Sequence, residues 1–401
     1  MSVSIPEVKS FRMAFPVWLL LCVLIALGVV CLYMLASDEP TRAWFNVLIG
    51  SVMFLGLGLF GLFVLLISNL VGAHWMVSLR RIFEAMAMTL PISAILIGIV
   101  YFGHHHLYEW SHADVVANDR LLQYKSGYLN SAFFGWRLLA YFVIWIGSAF
   151  FLISNSFKQD KSGDPKITLR NQSVSAVLMI LFALSVCGAG FDLLMSLEPH
   201  WFSTIYGIFY FATFFQAGWA SAYLITYSLH RGGFLEGFVS KKHFHDLGKF
   251  LFAFSIFWAY IAFCQYMLYW YADLPEETFW YRARMTDGWE YVGLAVLLIR
   301  WVVPFLVLMP YGAKTTFKIA LPVCVLVLFG NWLDLFWNAM PALRYFIKGE
   351  GHHLAGGFYW QELIIGFGFL ALFFLCVGIV LQKIRLVPSR DPRILESIHH
   401  H

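Results

Sequence analysis

The residues of this sequence that could do chemistry are polar and ionisable side chains inside long apolar segments. In the apolar segment 246–271 and just after it, helical spacing places four side chains on one face: Trp258, Gln265, Tyr269 and Asp273. A neighbouring stripe carries His245, Lys249 and Tyr260, and a later helix face carries Asn331, Asp334 and Asn338. A polar stripe along a span suits a proton path or a pocket for a quinone head group. The alternative is that these side chains only hydrogen-bond between helices.

Ionisable residues in other apolar segments extend this set, because a charged group inside a bilayer is costly and is commonly functional. Glu84 lies one turn into the third segment, and Arg300 lies close to the middle of the eighth. Arg300 needs a counter-charge, a carbonyl or water, and the sequence assigns no carboxylate to its depth. Around the outer end of the fifth segment lie Asp192, Glu198 and His200.

From these residues the sequence predicts a proton path in two halves. The half that enters at the inner edge comprises His243, His245, Asp246, Lys249 and Glu84. The half that leads outward comprises Tyr269, Asp334, Asp192 and Glu198. Around the gap between them we expect Tyr260, Gln265 and Arg300. The candidates for binding quinone are Asp192, His200 and Gln265.

The elements that must position these residues are ten apolar segments, which we expect to be transmembrane helices. Of the 401 residues 60% are apolar and 12% are charged, which excludes a soluble globular protein, a disordered chain and a secreted disulfide scaffold. The sequence therefore predicts an all-α integral membrane protein with one polytopic domain, 1–401. The segments are 14–36, 43–72, 81–102, 132–155, 172–195, 201–229, 246–271, 287–310, 318–340 and 357–382.

Basic residues predict the orientation of these segments. Of the 27 Lys and Arg residues, Arg137, Lys249 and Arg300 lie well inside the segments, and Arg81 and Lys318, which begin segments, are counted with the adjoining loops. Seventeen lie in the loops and tails of one side, and seven lie in the loops of the other side: Arg42, Arg120, Lys125, Arg282, Arg284, Arg344 and Lys348. The excess predicts that both termini are cytoplasmic.

Histidine and cysteine positions indicate that this chain binds no metal. The fourteen histidines lie in loops or within about one turn of a helix end. This placement excludes a cytochrome b and a copper–haem oxidase subunit, which need axial histidines at mid-depth. The six cysteines show no CxxC spacing.

Three stretches carry a resemblance to a known family. They are KSGYLNSAFFGWR (125–137), FDLLMSLEPHWFSTIYGIFYF (191–211) and HDLGKFLFAFSIFWAYIAFCQYMLYWYADLPEETFWY (245–281). With ten segments and both termini inside, the chain resembles the ActF subunits of bacterial alternative complex III, a quinol:cytochrome c or quinol:oxidase oxidoreductase. The sister ActC subunits share versions of these motifs, and both are similar to NrfD/PsrC-like membrane subunits. One departure is that no histidine lies within the fourth segment, where a proton acceptor for quinol would be expected.

The resemblance implies two four-helix bundles, formed by spans 2–5 (43–195) and 6–9 (201–340), with spans 1 and 10 flanking them. It implies the bacterial inner membrane as the location. The implied partners are a periplasmic iron–sulfur subunit, multihaem cytochrome c subunits, an ActC-like quinone-binding subunit and small single-span subunits. Haem and iron–sulfur clusters belong to those partners, and a menaquinone or ubiquinone is the cofactor that the resemblance allows for this chain.

The function predicted from the sequence is that of a membrane subunit with a structural and proton-conducting role, which is not catalytic alone. One alternative is a secondary transporter of a small solute or ion, which would contain Gly- or Pro-broken helices in its two halves. Pro91, Pro304 and Pro322 offer limited support for it. The other alternative is a purely structural membrane anchor, in which the polar stripe has no further role.

Overall fold

The computed structural model describes residues 9–346 and 358–400, which form helices and connecting turns with no β-strand among them. Within these ranges ten helices are long and apolar enough to cross a membrane, so the expected all-helical class and the number of candidate spans are confirmed. We number them spans 1 to 10: Phe15–Asp38, Pro40–Leu70, His74–Phe102, Ser131–Ser162, Pro165–Leu197, Tyr206–Arg231, Lys241–Ala272, Trp289–Leu308, Phe317–Tyr345 and Trp360–Lys383.

Local sequence signals begin and end these helices. Asn130 caps span 4, because its side chain accepts a hydrogen bond from the backbone N–H of Phe133 at 2.8 Å. Span 4 ends at Gly163, which adopts a φ of +66° that favours glycine. Asp164 then caps span 5 by accepting from the backbone N–H of Lys166 at 2.9 Å. The chain therefore reverses over two residues, and spans 4 and 5 pack against each other.

Spans 2 and 6 form the centre of the molecule. Their most apolar stretches are 89% and 83% buried, against 17% for span 1. Span 2 packs against spans 3, 5, 6 and 10, and span 6 packs against spans 5, 7 and 9. Aromatic rings fill the contact between the two, with centroids 5.0 Å apart for Phe60 and Trp219 and 4.4 Å apart for Phe63 and Phe215. Polar residues on spans 2 and 6 are thereby shielded from lipid.

Spans 1 and 10 lie along each other, although they are far apart in sequence. Their backbones meet at two glycines, where a Cβ built on Gly28 would lie 3.1 Å from the Cα of Gly368. Span 10 also joins span 2 through a buried ion pair between Glu362 and Arg42, at 2.8 Å. A close backbone contact with span 1 and an ion pair with span 2 therefore hold span 10 in place.

One face of the molecule carries Lys9 and residues 384–400, and we call it the terminal face; the other is the opposite face. Residues 384–400 fold back along the terminal face. Asp391 forms an ion pair with Arg80 at 2.5 Å, and the Ser397 hydroxyl donates to the carbonyl of Trp75 at 2.8 Å. Burial raises the pKa of Asp391, but Arg80 and Arg393 outweigh it and hold this pKa below its usual range. This segment therefore lies firmly against span 3.

Two loops cover the opposite face. In the loop between spans 3 and 4, Asp119 begins a short helix, Arg120–Lys125, and forms an ion pair with His200 at 2.6 Å. In the loop between spans 7 and 8, the helix Pro275–Arg282 places the ring of Trp280 on that of Trp201, with centroids 4.5 Å apart. The loop between spans 9 and 10 lies mostly outside the described residues, which resume at Phe358.

The paired glycines predict a local weakness. Gly28→Ile should lower the free energy of unfolding by about 1–3 kcal/mol, because the added atoms meet the backbone of span 10 and no side-chain rotation can relieve that contact. The matched control is Gly147→Ile, since a Cβ at Gly147 meets nothing within 4 Å. Thermal unfolding of the purified protein in detergent measures both. Equal midpoints for the two variants would contradict the close packing of spans 1 and 10.

Candidate functional site

The site begins with an ion pair buried among spans 6, 8 and 9. Arg300 is fully buried and lies in a single π-helical turn, Leu298–Val302, of span 8. Its guanidinium forms an ion pair with Asp334 of span 9 and donates to the Gln216 side-chain oxygen at 3.0 Å. The Gln216 amide in turn donates to the backbone carbonyl of Arg300. A π-turn widens the helix, and such turns frequently occur at functional sites.

Asp334 accepts hydrogen bonds on both carboxylate oxygens. The Trp258 indole N–H donates to it at 3.0 Å, the Thr213 hydroxyl at 3.2 Å and the Asn338 amide at 3.0 Å. An indole N–H can only donate, and Asn338 presents its amide nitrogen here, so these groups suit a carboxylate acceptor. The buried charge of Arg300 is therefore matched by one carboxylate that is held by three helices.

This pairing corrects the sequence interpretation of Arg300, which assigned no carboxylate to its depth. Span 9 was predicted to end at residue 340, but the structure continues it as a 3₁₀ helix to Tyr345. Arg300 and Asp334 then each lie eleven residues from the opposite-face ends of their spans, Trp289 and Tyr345, which is at least about 17 Å at helical rise. Asp334 is thus not near a helix end.

A cavity of about 510 Å³ lies beside this ion pair, between spans 7, 8 and 9. Asp334 and Gln265 line it together with mostly apolar and aromatic side chains. Two lining residues, Phe263 and Leu294, are more than half exposed on the outside of the bundle, so the cavity opens toward lipid. Glu290 lines it near the opposite face and is exposed. The cavity therefore joins an apolar entrance to a buried polar end.

Two polar atoms at this cavity lack a hydrogen-bond partner among the described residues. Gln265 is 1% exposed, and its side-chain oxygen, an acceptor, makes no hydrogen bond. Trp337 also lines the cavity, and its indole N–H, a donor, makes none. A buried polar group without a partner costs free energy, which a ligand with both a donor and an acceptor would recover. The sequence interpretation missed Trp337, because indoles near span ends are commonly interface anchors.

A chain of polar contacts connects Asp334 to the opposite face. Arg284 is buried and donates to the backbone carbonyl of Asn338 at 2.6 Å, directly next to the Asp334 network. Arg284 also forms an ion pair with Glu198 at 3.0 Å, and Glu198 contacts Arg344 at 3.4 Å. Burial lowers the pKa of Arg284, and the charge of Glu198 opposes that shift. Asp334 and Glu198, both predicted members of an outward half-path, are therefore brought together.

Other predicted residues lie in separate places. Asp192 accepts hydrogen bonds from Nε and Nη2 of Arg137, each at 2.9 Å, and from the Tyr141 hydroxyl at 2.9 Å. It therefore belongs to a network of spans 4 and 5. His200 pairs with Asp119 at the surface. Of the three quinone candidates, only Gln265 lines the cavity described above. Tyr269 donates to the backbone carbonyl of Phe202 at 2.6 Å, which ties it to the opposite-face loop.

At the terminal face, Asp246 forms an ion pair with Lys249 at 2.6 Å and contacts His400 at 2.5 Å. His245 lies 3.9 Å from Asp246, and the ring of His243 lies 5.5 Å from that of His400. These four predicted residues of span 7 therefore form one cluster.

Glu84 does not join that cluster, because it pairs with Arg81, which also pairs with Asp160 of span 4. Tyr260 was expected at the gap between the two half-paths, but its side chain is 61% exposed on the lipid side of span 7. Ser255, which lies between, donates to the backbone of its own helix. The seventh-span stripe therefore does not directly connect the Asp246 cluster to Arg300.

No protein-family model and no curated protein matches this chain. The likeness to alternative complex III subunits, read from the sequence, therefore stays a prediction. Among the described residues, no group of three or more His, Cys, Asp or Glu side chains is placed to hold a metal ion.

The ion pair predicts strong coupling between two residues. Asp334→Leu and Arg300→Met should each lower the free energy of unfolding by about 3–5 kcal/mol, because each leaves one buried charge without its partner. The double variant should lose much less than the sum of the two, since it leaves neither charge. Thermal unfolding in detergent measures the cycle. The control is Glu236→Gln, which removes an exposed ion pair with Lys9 and should change little. Additive losses would contradict the pairing.

Proposed function

We propose that this chain is an integral membrane subunit of a quinol-oxidising respiratory complex of the alternative complex III type. In this proposal the cavity between spans 7, 8 and 9 binds the quinone head group, and the Asp334 network conducts protons. The observation that carries the proposal is the cavity itself. It opens to lipid, and it presents the unsatisfied acceptor of Gln265 and donor of Trp337 beside a buried carboxylate.

The chemistry of a quinone fits these features. A quinol hydroxyl could donate to the Gln265 oxygen, and a quinone carbonyl could accept from the Trp337 indole. The volume of about 510 Å³ lies within the usual range for small-molecule sites. Aromatic and aliphatic walls suit the ring, and the gap beside Phe263 and Leu294 would let an isoprenoid tail extend into the bilayer. A water-soluble substrate would not need an entrance that opens to lipid.

Oxidation of a quinol releases protons and electrons, and the two take different routes in this proposal. Asp334 lies at the polar end of the cavity, and Asn338, Arg284 and Glu198 continue toward the opposite face. Protons would pass from the carboxylate of Asp334 toward that of Glu198, which Arg284 positions, or leave by Glu290 at the cavity's edge. Electrons would pass to iron–sulfur and haem groups of partner subunits.

The same proposal assigns the helices to two four-helix bundles. Contacts among spans 2 to 5 and among spans 6 to 9 support this division, and spans 1 and 10 pair outside it. We place the terminal face in the cytoplasm of a bacterial cell, because the excess of Lys and Arg lies there. The opposite-face loops, with Asp119, His200 and the Pro275–Arg282 helix, would then bind the periplasmic iron–sulfur and cytochrome subunits.

A secondary transporter is the second candidate, and one observation favours it. Transporter sites commonly use interrupted helices near the bilayer midplane, and the π-helical turn at Arg300 interrupts span 8 at such a depth. The two candidates differ in what the cavity binds. A transported solute would reach it from water, whereas a quinone would reach it from lipid.

The cavity predicts the effect of substitutions on quinone binding. Gln265→Leu should weaken binding of a short-chain quinone to the purified protein by roughly 3- to 10-fold, because it removes one hydrogen bond. Leu294→Trp should block the lipid entrance and abolish binding. Fluorescence quenching during a quinone titration measures both. The control is Leu139→Trp. Leu139 lines a different groove, between spans 3 and 4, so this variant should bind the quinone as the wild-type protein does. Unchanged binding in Leu294→Trp would exclude this cavity as the quinone site.

The proton role predicts a second result. In the assembled complex reconstituted in vesicles, Asp334→Asn should lower the number of protons released per electron, because an amide cannot take up and release a proton. Asp246→Asn tests the terminal-face cluster in the same way. Proton release is followed with a pH-sensitive dye while quinol turnover is recorded in parallel. Normal proton release at normal turnover would leave these residues as hydrogen-bonding contacts between helices.

A further inference from the structure

A second groove lies on the lipid-facing side of span 9, away from the cavity beside Asp334. It has a volume of about 780 Å³ and is lined by Phe317, Lys318, Leu321, Pro322, Val325, Leu326 and Phe329 of span 9 and by Phe367 of span 10. Its lining is apolar except for Lys318, which lies at the terminal-face end. The groove is thus a long apolar surface with one charge at its mouth.

The length of the groove matches one leaflet of a bilayer. From Lys318 to Phe329 the helix advances eleven residues, or about 17 Å at helical rise, which is roughly half of a hydrocarbon core about 30 Å thick. Phe329 and Phe367 meet the groove at its deep end. An acyl chain that enters from the terminal-face leaflet would therefore extend along the whole groove and stop at these two rings.

The mouth of the groove carries a second positive charge. Phe317 lines the groove, and its ring packs on Tyr227 of span 6, with centroids 4.7 Å apart. The Arg231 guanidinium donates to the Tyr227 hydroxyl at 3.3 Å. Lys318 and Arg231 therefore lie at the same end of the groove, and both are exposed.

The nearest acidic loop does not neutralise these charges. Glu236 follows Arg231 in the loop after span 6, and it forms an ion pair with Lys9 at 3.6 Å. Among the described residues, no ion pair includes Lys318 or Arg231. Two cations at the membrane edge above an apolar groove complement a lipid that has a negative head group and long acyl chains.

The groove between spans 3 and 4 lacks this combination of an apolar lining and charged residues. That groove has a volume of about 610 Å³ and is lined by apolar and aromatic side chains such as Ala94, Phe102, Gly135 and Leu139, with no charged residue among them. It offers an acyl chain the same kind of surface but no contact for a charged head group. Of these two grooves among the described residues, the span 9 groove is therefore the one with charged residues that could select a lipid by its charge.

We infer that the span 9 groove is a binding site for an anionic phospholipid of the terminal-face leaflet. Lys318 and Arg231 bind the phosphate, and the surface from Leu321 to Phe329 holds one acyl chain. The inference does not depend on the proposed quinone chemistry, since the two sites share no lining residue. The bound lipid would act as a structural ligand that bridges spans 6, 9 and 10.

Native mass spectrometry of the purified full chain, titrated with phosphatidylglycerol or phosphatidylcholine, tests this site. Wild-type protein should bind the first phosphatidylglycerol at least tenfold more tightly than phosphatidylcholine. Each of Lys318→Gln and Arg231→Gln should weaken phosphatidylglycerol binding about fivefold, since one cation near a charged lipid contributes on the order of 1 kcal/mol. The control Lys166→Gln removes an exposed lysine of the same face and should have no such effect.

A second pair of variants tests the acyl-chain contact. Val325→Trp fills the groove and should abolish binding of the first phosphatidylglycerol, whereas Val177→Trp, on the exposed side of span 5, should not. Equal affinity for the two lipids, or equal effects of Lys318→Gln and Lys166→Gln, would overturn the inference. So would a photo-crosslinker at position 325 that captures a partner protein's helix and no lipid.

Discussion

The need to match every buried charge inside an apolar medium constrains this structure most strongly. Arg300 and Asp334 show it in its fullest form, because both are completely buried and each contacts polar groups from more than one helix. Removing one partner of such a pair costs much more stability than the intact pair contributes. The main effect of the pair is therefore to fix how the surrounding helices pack. Spans 6, 7, 8 and 9 can pack in only a narrow range of registers that keep this contact.

The same constraint recurs in other buried ion pairs, which join different spans or the segments that connect them. Arg137 pairs with Asp192, Arg42 with Glu362, and Arg284 with Glu198. In all of these the base is an arginine, whose planar guanidinium can donate to a carboxylate and to backbone carbonyls at once. Arg284 also lines the cavity, where the side-chain oxygen of Gln265 and the indole N–H of Trp337 have no such partner. That contrast distinguishes the candidate binding site from the residues that hold the helices together.

The helices could be predicted from the sequence, but the contacts between them could not. Long apolar runs predict helices because every backbone group must be satisfied within lipid, so the count of ten candidate spans could be read directly. The end of span 9 could not, since the 3₁₀ turn Met340–Tyr345 contains Pro341 and reads as a loop. That shift of a few residues hid the partner of Arg300. Helical spacing grouped Gln265 with Trp258 on one face, and both line the cavity in the structure. It could not show that Tyr260, near them on the same helix, faces outward. Periodicity groups residues on a face, and only the neighbouring helices decide which face is buried.

The pairing of span 10 with spans 1 and 2 has a consequence for how the chain is made. Glu362 follows Arg42 by 320 residues, so during synthesis span 2 enters the membrane long before its acidic partner in span 10 leaves the ribosome. The ribosome must translate eight further spans before the Gly28–Gly368 contact can close. The fold therefore cannot be completed one helical hairpin at a time. Its final step is the docking of the last helix, and in a chain that stops before span 10 the contact between Arg42 and Glu362 could not form.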